Sequence, residues 1–167
     1  MVLKVIKNRH SVRSFQKRVV EKEKLEEILK AAQFAPSANH ICPWEFWVIE
    51  KSSTLKQLAK ITAWGSFIAQ APLAIVVVLD ENASAEWIED GAIIGAHIYL
   101  EATNQGLGTC WVHVRGKESE IEIKKLLAIS ESHRVLAIFP IGYSTETKSP
   151  HSDDEYDINK VHYDNDQ

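Results

Sequence analysis

The stretch Asn8-Arg9-His10-Ser11-Val12-Arg13-Ser14-Phe15 concentrates anion-binding groups ahead of the first long helix of the chain. In an extended or turning segment alternate side chains project the same way, so Arg9, Ser11 and Arg13 are expected to converge on one point while Val12 and Phe15 pack inward. Such a set suits a phosphate, because the planar fork of Arg matches phosphate oxygens and a hydroxyl adds a neutral donor. A solvated surface segment is the competing reading. A second candidate is Pro36-Ser37-Ala38-Asn39-His40, whose small and amide-bearing side chains leave backbone and polar groups free to meet a ligand. A plain connection between helix and strand would have the same composition.

Other chemistries find little support. His10, His40, His97, His113, His133, His151 and His162 show no paired ligand spacing, which argues against a metal site. Cys42 and Cys110 form neither a CxxC nor a metal-ligand pattern, so a reduced protein is expected, with Cys110 a core residue. No GxSxG occurs. Gly106-Leu107-Gly108 follows a helix and precedes a strand, the reverse of a dinucleotide loop, and reads as a helix C-cap and tight turn. No side chain is singled out as a catalytic acid, base or nucleophile.

These groups must be held by a scaffold, and 167 residues suffice for one domain, 1–167, with a substantial core. A net charge of −4 argues against broad nucleic-acid binding. The longest apolar run, 71–79, is too short to span a membrane, and the opening MVLKVIKNRH lacks a signal-peptide core. A cytoplasmic protein with small-molecule ligands is expected.

Helical periodicity predicts an amphipathic helix over 21–34, and aromatic and β-branched content predicts a strand over 44–49. A short helix is expected over 53–61. Residues 73–79 are too apolar to alternate and read as a strand covered on both faces. The segment 86–105 is apolar around much of its circumference, hence a helix buried in the core or against a second subunit. A strand over 109–114, a helix over 119–129 and a strand over 134–143 follow, the last with Pro140 and Gly142 at a fraying end. The polar tail 144–167 has little to bury and reads as loosely held, packing on a partner subunit if one exists. Strands interleaved with helices give an α/β or α+β layered sandwich.

Taken together, the sequence resembles the nitroreductase family of flavin mononucleotide (FMN) oxidoreductases. The likeness runs through Arg9-His10-Ser11-Val12-Arg13-Ser14-Phe15, then Ala35-Pro36-Ser37-Ala38-Asn39-His40-Ile41-Cys42-Pro43-Trp44-Glu45-Phe46. It continues through Asp90-Gly91-Ala92, Gly106-Leu107-Gly108-Thr109-Cys110-Trp111, Ile141-Gly142-Tyr143 and Lys160-Val161-His162-Tyr163. The resemblance implies an α+β fold: a three-layer α/β/α sandwich on a mostly antiparallel sheet, paired as a homodimer with FMN at the subunit interface. It further implies that Arg9, His10, Ser11 and Arg13 hold the flavin phosphate and ribityl chain. Pro36, Ser37, Ala38 and Asn39 would reach the flavin of the partner, and His113 and Val114 would run along the ring edge. Many members carry a basic pair after the Gly-Tyr turn; here Lys148 and His151 are the candidates, with Lys148 assigned to the flavin. Where many members read Asn-x-Gln-Pro-Trp, this chain has His40-Ile41-Cys42-Pro43-Trp44, so amide contacts to the flavin are expected to differ. The chain is short for the family, which implies a reduced roof over the substrate cleft. The activity implied is hydride transfer from NAD(P)H through FMN to a nitroaromatic, a quinone or a similar acceptor, by a ping-pong mechanism. A flavin store or sensor without turnover, or a dimer that kept only the scaffold, are the alternatives.

Overall fold

The computed structural model describes residues 1–164. Five helices and five strands alternate along the chain as α1 (Lys4–Asn8), α2 (Lys22–Gln33), β1 (Trp44–Ile49), α3 (Ser52–Ile61), β2 (Leu73–Asp80), α4 (Trp87–Asn104), β3 (Gly108–Thr109), β4 (Val112–His113), α5 (Glu118–Leu127) and β5 (His133–Gly142). Strands β1, β2, β5 and β3 lie in that order, with β4 also on β5, and every strand pair is antiparallel. The fold is α+β, as expected.

Strand β2 is central because both its faces are apolar, so each must be roofed by helices. Ala74, Val76 and Val78 join the core under α3 and α5, while Leu73, Ile75, Val77 and Leu79 join the core under α2 and α4. All of these side chains are buried. Three layers result, with the sheet in the middle.

Two glycines one turn apart let α4 lie close on the sheet. A Cβ on Gly91 would stand 2.4 Å from Leu136 Cδ2, and one on Gly95 would stand 2.3 Å from Trp111 Cζ3. Leu136 is the extra residue at a bulge in β5, between the pairs Val78↔Val135 and Val77↔Ala137, and it packs in the core under α4. Helix α4 ends as the glycine at 106 predicts: the Leu107 N–H donates to the Ala102 carbonyl and the Gly106 N–H to that of Thr103, with Gly106 at φ +72°.

Four details differ from the sequence reading. The expected strand 109–114 is split into β3 and β4, although both pairs with β5 keep one register. In that register Pro140 lies opposite Cys110 and has no N–H to offer the Cys110 carbonyl, while the Trp111 N–H, facing away from β5, donates to the Tyr99 hydroxyl at 2.7 Å. The end of β5 does not fray: Pro140 pairs with Ala74, Gly142 pairs with Gly108, and both are buried. The first part of the polar tail is pinned to residues 7–15 by hydrogen bonds rather than loosely held. A short helix, α1, precedes the anion-binding stretch where none was predicted.

Gly95→Ala weighs two opposed effects. Alanine gains about 1 kcal/mol of helix propensity, but overpacking a fixed core costs about 1–3 kcal/mol. The Trp111 ring at 2.3 Å cannot turn aside freely, because Phe139 meets it edge-on at 5.1 Å. Urea denaturation is expected to find the variant less stable by about 1 kcal/mol. A variant as stable as the parent would mean that α4 can retreat from the sheet.

Candidate functional site

The N-terminal stretch runs as an added edge beside β3. The Val12 N–H donates to the Thr109 carbonyl at 2.9 Å and the Gln16 N–H to that of Tyr143 at 2.8 Å, while Val12 and Phe15 are buried as expected. On its other edge the Arg13 N–H donates to Glu146 Oε1 at 2.6 Å, the Thr145 N–H to the Ser14 carbonyl at 3.1 Å, and Lys148 Nζ to the Ser11 carbonyl at 2.8 Å. Contact with Arg13 and with Lys148 holds the Glu146 carboxyl below the usual range. The segment is thus fixed from both sides before any ligand arrives.

Alternation then sorts its side chains. Arg9 lies over the Tyr99 ring at 5.5 Å, Ser11 Oγ is 3.1 Å from the Tyr99 hydroxyl, and Arg13 lines a cavity farther along the same side. The Tyr99 oxygen receives the Trp111 N–H and shares a second hydrogen bond with the Ser11 hydroxyl, in which either oxygen can donate. Burial pushes the Tyr99 phenol above its ordinary pKa, so it stays a neutral donor. His10 takes the other side with Val12, lining a cavity of about 170 Å³ that also meets Gly108 and Lys148. Its ring stacks on His151 at 4.8 Å, and its Nε2 is buried with no hydrogen-bond partner. Burial and the neighbouring His151 and Lys148 lower the His10 pKa.

Charge balance distinguishes Arg9 and Arg13. Arg18 is paired with Glu21, and Arg134 with Glu120 and Glu81. Among the described residues, no carboxylate pairs with the guanidinium of Arg9, Arg13 or Arg115, and Arg115 instead lies over Trp87 at 5.8 Å. The Arg9 guanidinium lies over Tyr99 and comes within 3.4 Å of His151 Nε2. In a chain of net charge −4, two unpaired guanidiniums on one side of a fixed strand are available to an anion.

The cavity at Arg13 measures about 190 Å³ and is lined by Trp64, Phe67, Cys110, Trp111, Val112, His113 and Lys117 besides. It combines flat apolar walls with cations and no carboxylate. His113 lines that cavity, whereas Val114 is fully buried and does not. Sequence reasoning missed Tyr99, Trp64, Phe67 and Lys117. A phenol within an otherwise apolar helix was the legible signal for Tyr99; Trp64 and Lys117 gave none.

The loop of Pro36, Ser37, Ala38 and Asn39 is not brought to Arg9 within one chain. The Ala38 N–H donates to Asp90 Oδ1 at 2.9 Å, at the head of α4. Tyr99 lies nine residues along, roughly 14 Å at the helical rise. Asn39, His40 and Cys42 all have φ above +50°, a left-handed geometry that non-glycine residues adopt rarely, so the loop is held in a costly shape. Ser37 Oγ accepts the Cys42 N–H at 2.9 Å and closes it.

Comparison with known proteins identifies the family. The model of the nitroreductase family matches residues 6–65 and 62–143, and the chain belongs to that family. A protein of Methanothermobacter thermautotrophicus, provisionally named NADH dehydrogenase/NAD(P)H nitroreductase, is 34% identical over 165 residues, spanning 96% of this chain and 85% of its own. The structure of an FMN-dependent nitroreductase from Clostridium difficile R20291 superposes with TM-score 0.93 at 38% identity, covering 97% of this chain and 98% of the other. One from Bacteroides thetaiotaomicron, provisionally named like the first relative, gives 0.91 at 32% identity over 96% and 95% of the two chains.

His113 supplies a pH test of the cavity. Burial first, then Lys117 and Arg115, lower its pKa below 6.5, so the unfolded chain holds this proton more tightly than the folded one. The sign follows: stability from this group is present above pH 6.5 and is lost as pH falls through the lowered folded value. An NMR titration is expected to give the His113 ring a midpoint below 6.5. A midpoint above that value would mean a neighbouring carboxylate, not Lys117, faces the ring.

Proposed function

We propose that the chain is an FMN-dependent oxidoreductase that accepts reducing equivalents from NAD(P)H and passes them to an electron-poor small molecule such as a nitroaromatic or a quinone. Family membership makes it an oxidoreductase of the nitroreductase type, and its relatives' names point to NAD(P)H and FMN. The observation that carries the assignment to these residues is the pair of unpaired guanidiniums, Arg9 and Arg13, flanking Ser11 and leading into an aromatic cavity.

The donor set fits FMN. Its phosphomonoester calls for charged and neutral donors, which Arg9 and the Ser11 hydroxyl offer on one side of the stretch, with His10 and Lys148 lining the cavity on the other side. Its flat ring with carbonyl oxygens calls for apolar walls and a cation, which Phe67, Trp111 and Arg13 offer farther along. When bound, FMN supplies the hydride and electron chemistry that no side chain here provides. The residues of the chain bind and orient: Arg9 and Arg13 set the two ends, Tyr99 keeps Ser11 aimed, and His113 holds a neutral imidazole at the cavity mouth. Donor and acceptor would take turns at the bound ring, a ping-pong scheme.

A homodimer belongs to the same reading. Ala92, Ile93 and Ala96 form an exposed, small and apolar face on α4. Tyr156 and Ile158 are exposed on the tail. A second copy covering these surfaces would bring the Asp90-anchored loop of one chain toward the Arg9 end of the other, which accounts for a strained loop set apart from the rest of the site.

Charge-assisted hydrogen bonds, to the phosphate at Arg9 and to a ring oxygen at Arg13, contribute about 1.5–3 kcal/mol each. Arg9→Ala and Arg13→Ala are therefore each expected to weaken FMN binding by about ten- to a hundredfold in a fluorescence titration. Wild-type affinity in both variants would move the flavin elsewhere.

A further inference from the structure

A second cavity, of about 260 Å³, adjoins the one at Arg13 and shares Trp64, His113 and Lys117 with it. Its remaining walls are Ile61, Ala63, Glu118, Ser119 and Glu122. Trp64 sits in the turn after α3 and is 83% exposed, which is unusual for the largest apolar side chain on a surface. Among the described residues little covers it, so its ring offers a plate to a flat partner. Lys117 stands at the N-cap position of α5, and Glu118 and Glu122, four residues apart on that helix, line the same cavity. Cation, aromatic plate and two carboxylates therefore surround one space next to the proposed ring cavity.

We propose that this annex binds the adenosine end of the nicotinamide donor and selects NADH over NADPH. The inference rests on the flavin reading above. Trp64 stacks the adenine, since aromatic side chains bind any base through its face. Lys117 and the Ser119 hydroxyl meet the pyrophosphate. Glu118 and Glu122 accept from the ribose hydroxyls, the role an acidic residue plays where a 2′-hydroxyl is read. A 2′-phosphate would instead bring a charge of about −1.5 to −2 against two carboxylates. Selection thus comes from repulsion of the wrong donor as much as attraction of the right one. The acidic pair is solvent-exposed, so the discrimination is screened and must shrink as salt is raised.

The test uses ADP-ribose and 2′-phospho-ADP-ribose, which carry the nucleotide end without a transferable hydride. Calorimetric titration of the FMN-loaded protein at low salt is expected to give at least about tenfold tighter binding of ADP-ribose, narrowing at high salt. Glu118→Gln combined with Glu122→Gln is expected to reduce that ratio at least threefold, and Trp64→Ala to weaken both ligands. Stopped-flow reduction of the bound flavin should follow the same order, NADH before NADPH. Equal or tighter binding of the 2′-phosphorylated ligand, or a ratio unmoved by the double substitution, overturns the proposal and leaves the flavin reading standing. Failure of the protein to take up FMN at all overturns both.

Discussion

One phenol ties the site together. Tyr99 projects from α4, receives the Trp111 N–H at 2.7 Å, meets Ser11 Oγ at 3.1 Å, and carries the Arg9 guanidinium over its ring. Phe139 of the central sheet packs against it edge-on at 6.1 Å. A helix, an edge strand and the N-terminal stretch are thereby referenced to one oxygen. The break between β3 and β4 lies beside the same contact: Pro140 has no N–H for the Cys110 carbonyl, and the next residue, Trp111, turns its N–H away from β5 to the phenol.

This arrangement requires α4 to lie very close to the sheet, and Gly91 and Gly95 permit that approach. Close packing on the inner side leaves the small apolar outer face of α4 uncovered in one chain. Scaffold and assembly are therefore linked: the helix that positions Tyr99 also presents the surface a second copy would cover. The tail contributes from outside, with Glu146, Lys148 and His151 clamping the opposite edge of the stretch. Electrostatic fixing of that kind is local, because the paired charges sit within hydrogen-bond reach of the backbone they hold.

Most elements were legible because their signals are local. The amphipathic spacing of Leu25, Ile28, Leu29 and Ala32, the unbroken apolar run of β2 and the glycine after α4 each determine their own geometry. The split of the edge strand was not, since it depends on a register between residues 110 and 140 and on a phenol from a third element. Pro140 read as a fraying end because a central strand that tolerates proline needs a broken ladder beside it, which no local pattern reveals. Within the site, alternation brought Arg9 and Ser11 together at Tyr99, but Arg13 reaches a cavity farther along instead of the same point, and His10 turns to the opposite side. Trp64 and Lys117 escaped notice because single exposed residues in a turn and at a helix start carry no periodic signature.

The central claim is that the N-terminal stretch holds FMN where two copies of the chain meet. Sedimentation of the FMN-loaded protein, followed at once by protein and by visible flavin absorbance, tests it directly. The account predicts one boundary at the mass of two chains, carrying one flavin per chain. Flavin travelling with a single chain, or left behind as free flavin, would contradict it.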